Sequence, residues 1–297
     1  MAQRSDGAND GEVRGIELSR DALPTRALLA LAGGLARYHR HRVLHRSRLA
    51  DAFAAGRRVV LVGNHALDIV DPLLLLAHVF RELGRAPHFV AHTAWLQLPL
   101  LRDLADYAQV IASRRPEETL EALRRSGFLM LFPGGNREAV LRHYDESPYQ
   151  LDWAGRRGFL RLALEADAEL IFAAAVGNDE AYYQSKLPTP QALLRVAASE
   201  RDAARYRGAR LGFGLLGPHL LPGLVPLPVR LTHVLSEPLD LGDRERALAD
   251  PEAFDALHAR VWLSCQRFLD HAVAERESDP LDRLVRGGQQ RLRSLGL

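Results

Sequence analysis

Short apolar runs alternate with amphipathic stretches along this chain, the pattern of an α/β fold. Apolar, β-branched runs at 58–62, 88–92, 109–112, 128–132, 169–176 and 230–235 read as strands. Between them, 72–83 is apolar almost all round and reads as a buried helix, with Gly84 placed to cap it. Residues 116–125 and 156–166 carry one apolar face each and read as surface helices. Near the C-terminus, Asp250 is placed as an N-cap and Pro251 at the first helical position. Phe254, Leu257, Val261, Cys265 and Phe268 then mark one helical face, so Cys265 reads as core rather than nucleophile. No internal repeat is visible.

The flanks change the picture. Leu28, Leu31, Leu35 and Tyr38 recur at helical spacing, and Arg37, Arg40, Arg42, Arg46 and Arg48 follow with three histidines among them. This is the pattern of a basic amphipathic helix or helix pair, suited either to an anionic lipid surface or to packing on its own domain. Residues 193–210 read as a second basic helix. The stretch 211–228, LGFGLLGPHLLPGLVPLP, is apolar but broken by Gly and Pro, so it is expected as a buried loop or as a segment dipping into a membrane interface. Residues 1–20 are expected as a disordered tail, 21–56 as the N-terminal helical segment, 57–241 as the core and 242–297 as a C-terminal helical extension.

Composition narrows the class. With 297 residues, 47% hydrophobic and 26% charged, the chain can bury a sizeable core. Thirty-nine Lys and Arg against 37 Asp and Glu leave +2, and no global field argues for nucleic acid. A single cysteine excludes an internal disulfide framework and a Cys-cluster metal site. His88 and His92 lie on or beside a strand, where a spacing of four does not converge, so no metal pair is expected, and His78 reads as a core residue. The N-terminus lacks the apolar centre of a signal peptide, and no uninterrupted apolar run is long enough to span a bilayer. A cytoplasmic location is expected.

Candidate chemistry sits in two stretches. In GNHALDIVD, Gly63 ends a strand and His65 follows on a loop at its carboxyl end, where open α/β sheets keep their sites. A neutral imidazole is the natural general base near pH 7, and its second nitrogen needs a carboxylate to fix the tautomer. Asp68 and Asp71 are the candidates. Asp71 precedes Pro72, which biases it out of helical geometry and towards the N-cap of the next helix, a role compatible with serving His65. In FLMLFPGGNREAV, Gly134 and Gly135 let the backbone approach a ligand closely, and Arg137 supplies a forked donor for phosphate or carboxylate. No Gly-Lys-Ser/Thr follows, so this is not a phosphate-cradling P-loop.

In this order the two stretches resemble the glycerolipid acyltransferase superfamily, the one named for lysophosphatidate acyltransferase. The resemblance runs from about Val59 to Leu241 and is strongest to the branch containing phytyl ester synthases and diacylglycerol-acyltransferase-like proteins. NHALDIVD is similar to that branch's His-Asp motif and LFPGGNREAV to its FPGGxREAL block. QVIASRRPEETLEAL stands in place of the second block, and YQLDWAGRRGFLRLALEADAELIFAAAVGNDE resembles the Trp-to-acidic region that follows. The acid lies six residues after the histidine rather than the commoner five, which favours Asp71 over Asp68. Gly134-Gly135-Asn136-Arg137 replaces the Glu-Gly-Thr-Arg of phosphate-acceptor members, which argues against a phosphate-bearing acceptor. Phe172 replaces the usual proline of the fourth block.

The resemblance implies a mixed sheet flanked by helices and a membrane-surface O-acyltransferase without a cofactor. His65 would take the proton of a lipid hydroxyl, Asp71 would orient it, and the oxygen would attack the thioester of an acyl-CoA or acyl carrier protein. Oxyanion donors would come from amides near Gly63–Asn64 or Gly134–Asn136. Arg137 and Arg114 would hold phosphates, with Glu138 bracing Arg137. A neutral glycerolipid or alcohol is the expected acceptor and the inner membrane face the expected place of work. A lysophospholipid or 1-acylglycerol-3-phosphate acyltransferase, a lipid esterase and a non-catalytic lipid-binding protein are the alternatives.

Overall fold

A computed structural model describes residues 15–67, 70–91, 103, 105–113, 115–135, 137–153, 155–189, 208–218, 225–277 and 279–296. Its central element is β2 (Arg58–Gly63), an apolar run buried on both faces, as a strand inside a parallel sheet must be. β2 pairs in parallel with β5 (Phe128–Leu131) on one side and with β6 (Ala168–Val176) on the other. Beyond β5 lie β3 (His88–Ala91) and β4 (Ile111–Ala112), both parallel. Beyond β6 lie β10 (Thr232–Leu235), antiparallel, and β1 (Arg42–Leu44), parallel to β10. The order is β1-β10-β6-β2-β5-β3-β4, a mixed, mostly parallel sheet, as expected.

Alternation along the strands divides the core into two layers. Val59, Leu61, Phe128, Met130 and Ile171 face the helices α2 (Ser47–Ala54) and α3 (Val70–Leu83). Val60, Val62, Leu129, Leu170 and Phe172 face α5 (Gly158–Glu165), α6 (Arg244–Ala249) and α7 (Pro251–Ala274). Phe172 therefore fills core volume beside Trp153, with ring centroids 5.9 Å apart. Local signals set the helix ends. α4 (Pro116–Ser126) has Pro at its start, Glu117 and Glu118 in the first turn, Arg124 and Arg125 in the last, and Gly127 at φ 71° behind it. In α7 the Asp250 side chain accepts from the Glu252 amide at 2.9 Å. Cys265 is buried on that helix, and burial pushes its thiol well above the usual range.

Several expectations change. The N-terminal basic segment holds two helices, α1 (Leu23–Tyr38) and α2, but β1 lies between them and joins the main sheet. Its arginines are spent on internal pairs, Arg40 with Asp279 and Asp282, Arg42 with Glu277, Arg46 with Glu82 and Arg48 with Glu237. Asp279 and Asp282 cap and enter α8 (Pro280–Ser294). Ile16, within the expected tail, is buried and bonded to the backbone of Ala86. The second basic helix falls mostly outside the described residues, and Arg210 begins a strand, β8 (Arg210–Gly214). Together with β7 (Tyr183–Pro188) and β9 (Gly217–Pro218), β8 makes a small antiparallel sheet, so 211–218 is a hairpin and not an irregular loop. His92 lies outside the described residues. Among the described residues no group of three metal-binding side chains converges, and no helix is long and apolar enough to cross a membrane. His78 is half-buried, and its Nε2 has no hydrogen-bond partner among the described residues.

Candidate active site

β2 ends at Gly63, where a side chain would strike Phe132: an added Cβ would lie 2.8 Å from Phe132 Cε1 and 3.2 Å from the Ala173 carbonyl. Asn64 extends the strand by imitation. Its side chain donates to the Ala175 carbonyl at 3.0 Å and accepts from the Ala175 amide at 2.7 Å, as a backbone unit would. Asn64 is buried, and its side chain fixes the loop.

His65 follows, held by both backbone groups. Its amide donates to Glu138 Oε2 at 3.0 Å, and its carbonyl accepts from Arg142 Nη2 at 3.2 Å. The imidazole packs on the Phe132 ring with centroids 5.1 Å apart. Burial, and secondarily the Arg142 charge, lowers the His65 pKa to about 4, so the ring is neutral near pH 7 and able to take a proton. Nδ1 is buried without a hydrogen-bond partner among the described residues.

Asp71 lies in the first turn of α3, which starts one residue before it, rather than at the N-cap. Its carboxylate is fully buried, and Oδ2 accepts from Asn178 Nδ2 at 3.1 Å. A buried carboxylate requires such a donor. The expected His65–Asp71 hydrogen bond is not formed among the described residues, although the two residues flank the same short loop. Asp68, Arg114 and Asn136 lie outside the described residues.

The Pro-Gly-Gly block serves the interior first. Glu138, in a π-helical turn at Arg137–Leu141, points inward: Oε2 takes the His65 amide and Oε1 the Asp152 amide at 3.2 Å. It does not brace Arg137, whose Nε pairs with Asp152 Oδ2 at 3.0 Å on the surface. Burial raises the Glu138 pKa to about 8 against the pull of Arg142 and the two amides. Gly134 is required by that carboxyl, since its Cβ would stand 2.0 Å from Oε2. Gly135, at φ 47°, carries the Arg156 guanidinium, with Nη1 2.6 Å from where a Cβ would be. The glycines thus make room for two side chains of this chain.

Sequence reading missed the support beneath the site. Arg142 Nη2 pairs with Asp179 Oδ1 at 2.5 Å, both buried, and Asp179 Oδ2 accepts from the Tyr149 amide at 2.6 Å. Asn178 and Asp179 follow β6 in the run Gly177-Asn178-Asp179-Glu180. That polar tetrapeptide closing an apolar strand was the available signal.

A cavity of about 990 Å³ opens on His65, at the upper end of the ~300–1,000 Å³ usual for ligand pockets. It receives walls from both helical layers: Leu28 of α1 and Leu76 of α3 on one side, Leu120 of α4 and Leu162 of α5 on the other. Phe132, which packs on the histidine ring, lines it, as do Gly135, Arg137 and Arg156.

Comparison with known proteins matches residues 40–175 to the family model described as Acyltransferase. Phytyl ester synthase 2, chloroplastic, of Arabidopsis thaliana is 30% identical over 172 residues, covering 55% of this chain and 24% of that protein. The DGAT1/2-independent enzyme synthesizing storage lipids of Mus musculus is 29% identical over 112 residues, covering 38% of this chain and 33% of that protein. The protein of that name from Homo sapiens aligns at 29% identity over 112 residues, again 38% and 33%. The chain therefore aligns with a quarter to a third of the length of these relatives. Over residues 40–175, a little under half of its length, this chain is similar to the acyltransferase family.

Proposed function

We propose that this protein moves a fatty acyl group from an acyl thioester to the hydroxyl of a neutral glycerolipid or long-chain alcohol. The observation that carries this reading is a neutral imidazole, His65, facing a large apolar cavity at the carboxyl end of the central strand. In the proposed reaction His65 takes the acceptor hydroxyl proton as the oxygen bonds to the thioester carbonyl carbon. The tetrahedral intermediate then collapses, the carbon–sulfur bond breaks, and the thiolate leaves with the proton from the imidazolium. No covalent enzyme intermediate is needed.

A pKa near 4 makes a weak base, so turnover requires a carboxylate at Nδ1 to support the developing charge. Asp71 is assigned that role, with its second neighbour, Asn178, holding the carboxylate at the loop. The apolar lining and the relatives named for phytyl esters and storage lipids favour an acceptor without phosphate. Acyl-CoA is the proposed donor, with acyl carrier protein as the other carrier of the same thioester. Exposed Leu23 and Leu31 on α1, the latter also lining the cavity, support a protein that lies on a membrane surface where such lipids reside.

The test is thiol release from palmitoyl-CoA in mixed micelles with diacylglycerol, fatty alcohol, lysophosphatidate or no acceptor, with His65→Ala as control. Acceptor-dependent release lost in the variant is the expected result. Release independent of acceptor would identify a thioesterase, and the best acceptor decides between neutral lipid and phosphate-bearing alternatives.

A further inference from the structure

We infer that Arg156 is the anchor for the phosphate of the acyl donor, a phosphopantetheine thioester. This rests on the acyl-transfer reading above and names a cation that the motif arginine, Arg137, conceals.

The wall of the cavity that opens on His65 carries three arginines, Arg137, Arg156 and Arg161. Two are occupied. Arg137 is paired with Asp152, and Arg161 lies over the Phe254 ring at 5.2 Å with Glu165 3.5 Å away. Arg156 has no ion pair among the described residues, and its guanidinium is seated on the backbone of Gly135. An unpaired guanidinium fixed by packing loses less freedom on binding an anion than a free surface arginine does, and its fork matches phosphate oxygens.

Position supports the same conclusion. His65 is recessed, whereas Arg156 is exposed at the rim of the same cavity. In a phosphopantetheine thioester the pantetheine arm separates the reacting carbonyl from the first phosphate. A thioester at His65 therefore places its phosphate at the rim and away from the apolar interior, where an unpaired phosphate would be costly. Gly135 is part of the device: any side chain there would displace the guanidinium, so the second glycine of the motif serves the donor through Arg156.

The experiment compares palmitoyl-CoA, palmitoyl-4′-phosphopantetheine and palmitoyl-pantetheine as donors in wild type, Arg156→Ala and Arg156→Lys. Alongside, binding of coenzyme A alone is measured by titration calorimetry. The expected result is that the kcat/KM ratio of palmitoyl-CoA over palmitoyl-pantetheine falls about 10- to 100-fold in Arg156→Ala, the range of a charge-assisted hydrogen bond, with partial retention in Arg156→Lys. Coenzyme A binding weakens in parallel. An unchanged ratio, or a loss that appears only with lysophosphatidate as acceptor, overturns the inference. If wild type transfers no acyl group from any donor, the acyl-transfer reading fails. The calorimetric arm then decides the site alone: coenzyme A bound by wild type and weakened in Arg156→Ala sustains it, and no binding by wild type overturns it.

Discussion

Glu138 Oε2 accepts the backbone amide of His65 at 3.0 Å while its Oε1 accepts that of Asp152, so one buried acid ties the histidine loop to the segment before α5. Leaving both amides unpaired costs about 1–3 kcal/mol each. Glu138→Ala is expected to lower stability by a few kcal/mol on that basis and to reduce acyl transfer further than its stability loss explains. Glu138→Gln turns an NH₂ towards one of the two amides and should fall between wild type and alanine. Urea unfolding and the thiol-release assay on the same preparations check the order.

That acid also sets a pH dependence. Its folded pKa, raised to about 8, exceeds the ordinary glutamate value, so its contribution is fully present in acid and is lost as pH rises through about 8. Wild-type stability should therefore decline between about pH 4.5 and about pH 8 more than that of Glu138→Gln, with no further divergence above that range. Thermal unfolding between pH 5 and 9 reads this as a difference in slope, and parallel slopes would count against a neutral Glu138.

Gly134→Ala should be more damaging than an ordinary loop substitution. The new Cβ would meet Glu138 Oε2 at 2.0 Å and Glu138 Cβ at 2.5 Å, so the acid must move or the turn must open. Overpacking of this kind costs about 1–3 kcal/mol. A variant as stable and active as wild type would show that the turn relaxes freely.

Asp71→Asn retains an oxygen for Asn178 but removes the charge proposed to support the imidazolium. General-base catalysis contributes about 10²–10⁴-fold, so His65→Ala is expected to lose activity on that scale, and Asp71→Asn a large part of it with folding preserved. The comparison variant is Asp68→Asn. Activity surviving in Asp71→Asn and lost in Asp68→Asn would transfer the role to Asp68.

A second prediction about pH concerns a histidine group away from the site. His41 Nε2 and His233 Nδ1 lie 2.9 Å apart, with the His78 ring 6.3 Å from His41. Burial first, then the charges of His78, His39 and Arg81, lower His41 to about 3, and His233 is lowered well below its usual value. A depressed folded pKa gives stability that is present above the ordinary histidine range and is lost as pH falls. Acid should therefore unfold the protein progressively below about pH 6.5, the reference value for histidine. A His41→Gln, His233→Leu double variant should show a flatter acid limb in circular dichroism.

The sequence by itself determined the elements whose causes are local. Continuous apolar runs placed β2, β5 and β6 to within a residue or two. Gly84, Pro116, Asp250 and Pro251 marked helix ends, because capping is decided by neighbours in the chain. Gly63 followed by Asn64 and His65 announced a strand end bearing a polar loop. The partners of charged side chains were illegible, because they are chosen by elements distant in sequence. Arg40 and Arg42 suited a lipid surface as well as packing on their own domain until β1 entered the sheet and brought them beside residues 277–282. Glu138 looked like a brace for its neighbour, yet the parallel pairing of β2 with β5 puts its carboxyl under the His65 amide. β6 beside β2 likewise delivers Asn178 to Asp71 and Asp179 to Arg142. Periodicity fixes which face of an element is buried, but only the order of strands in the sheet decides which buried charges meet.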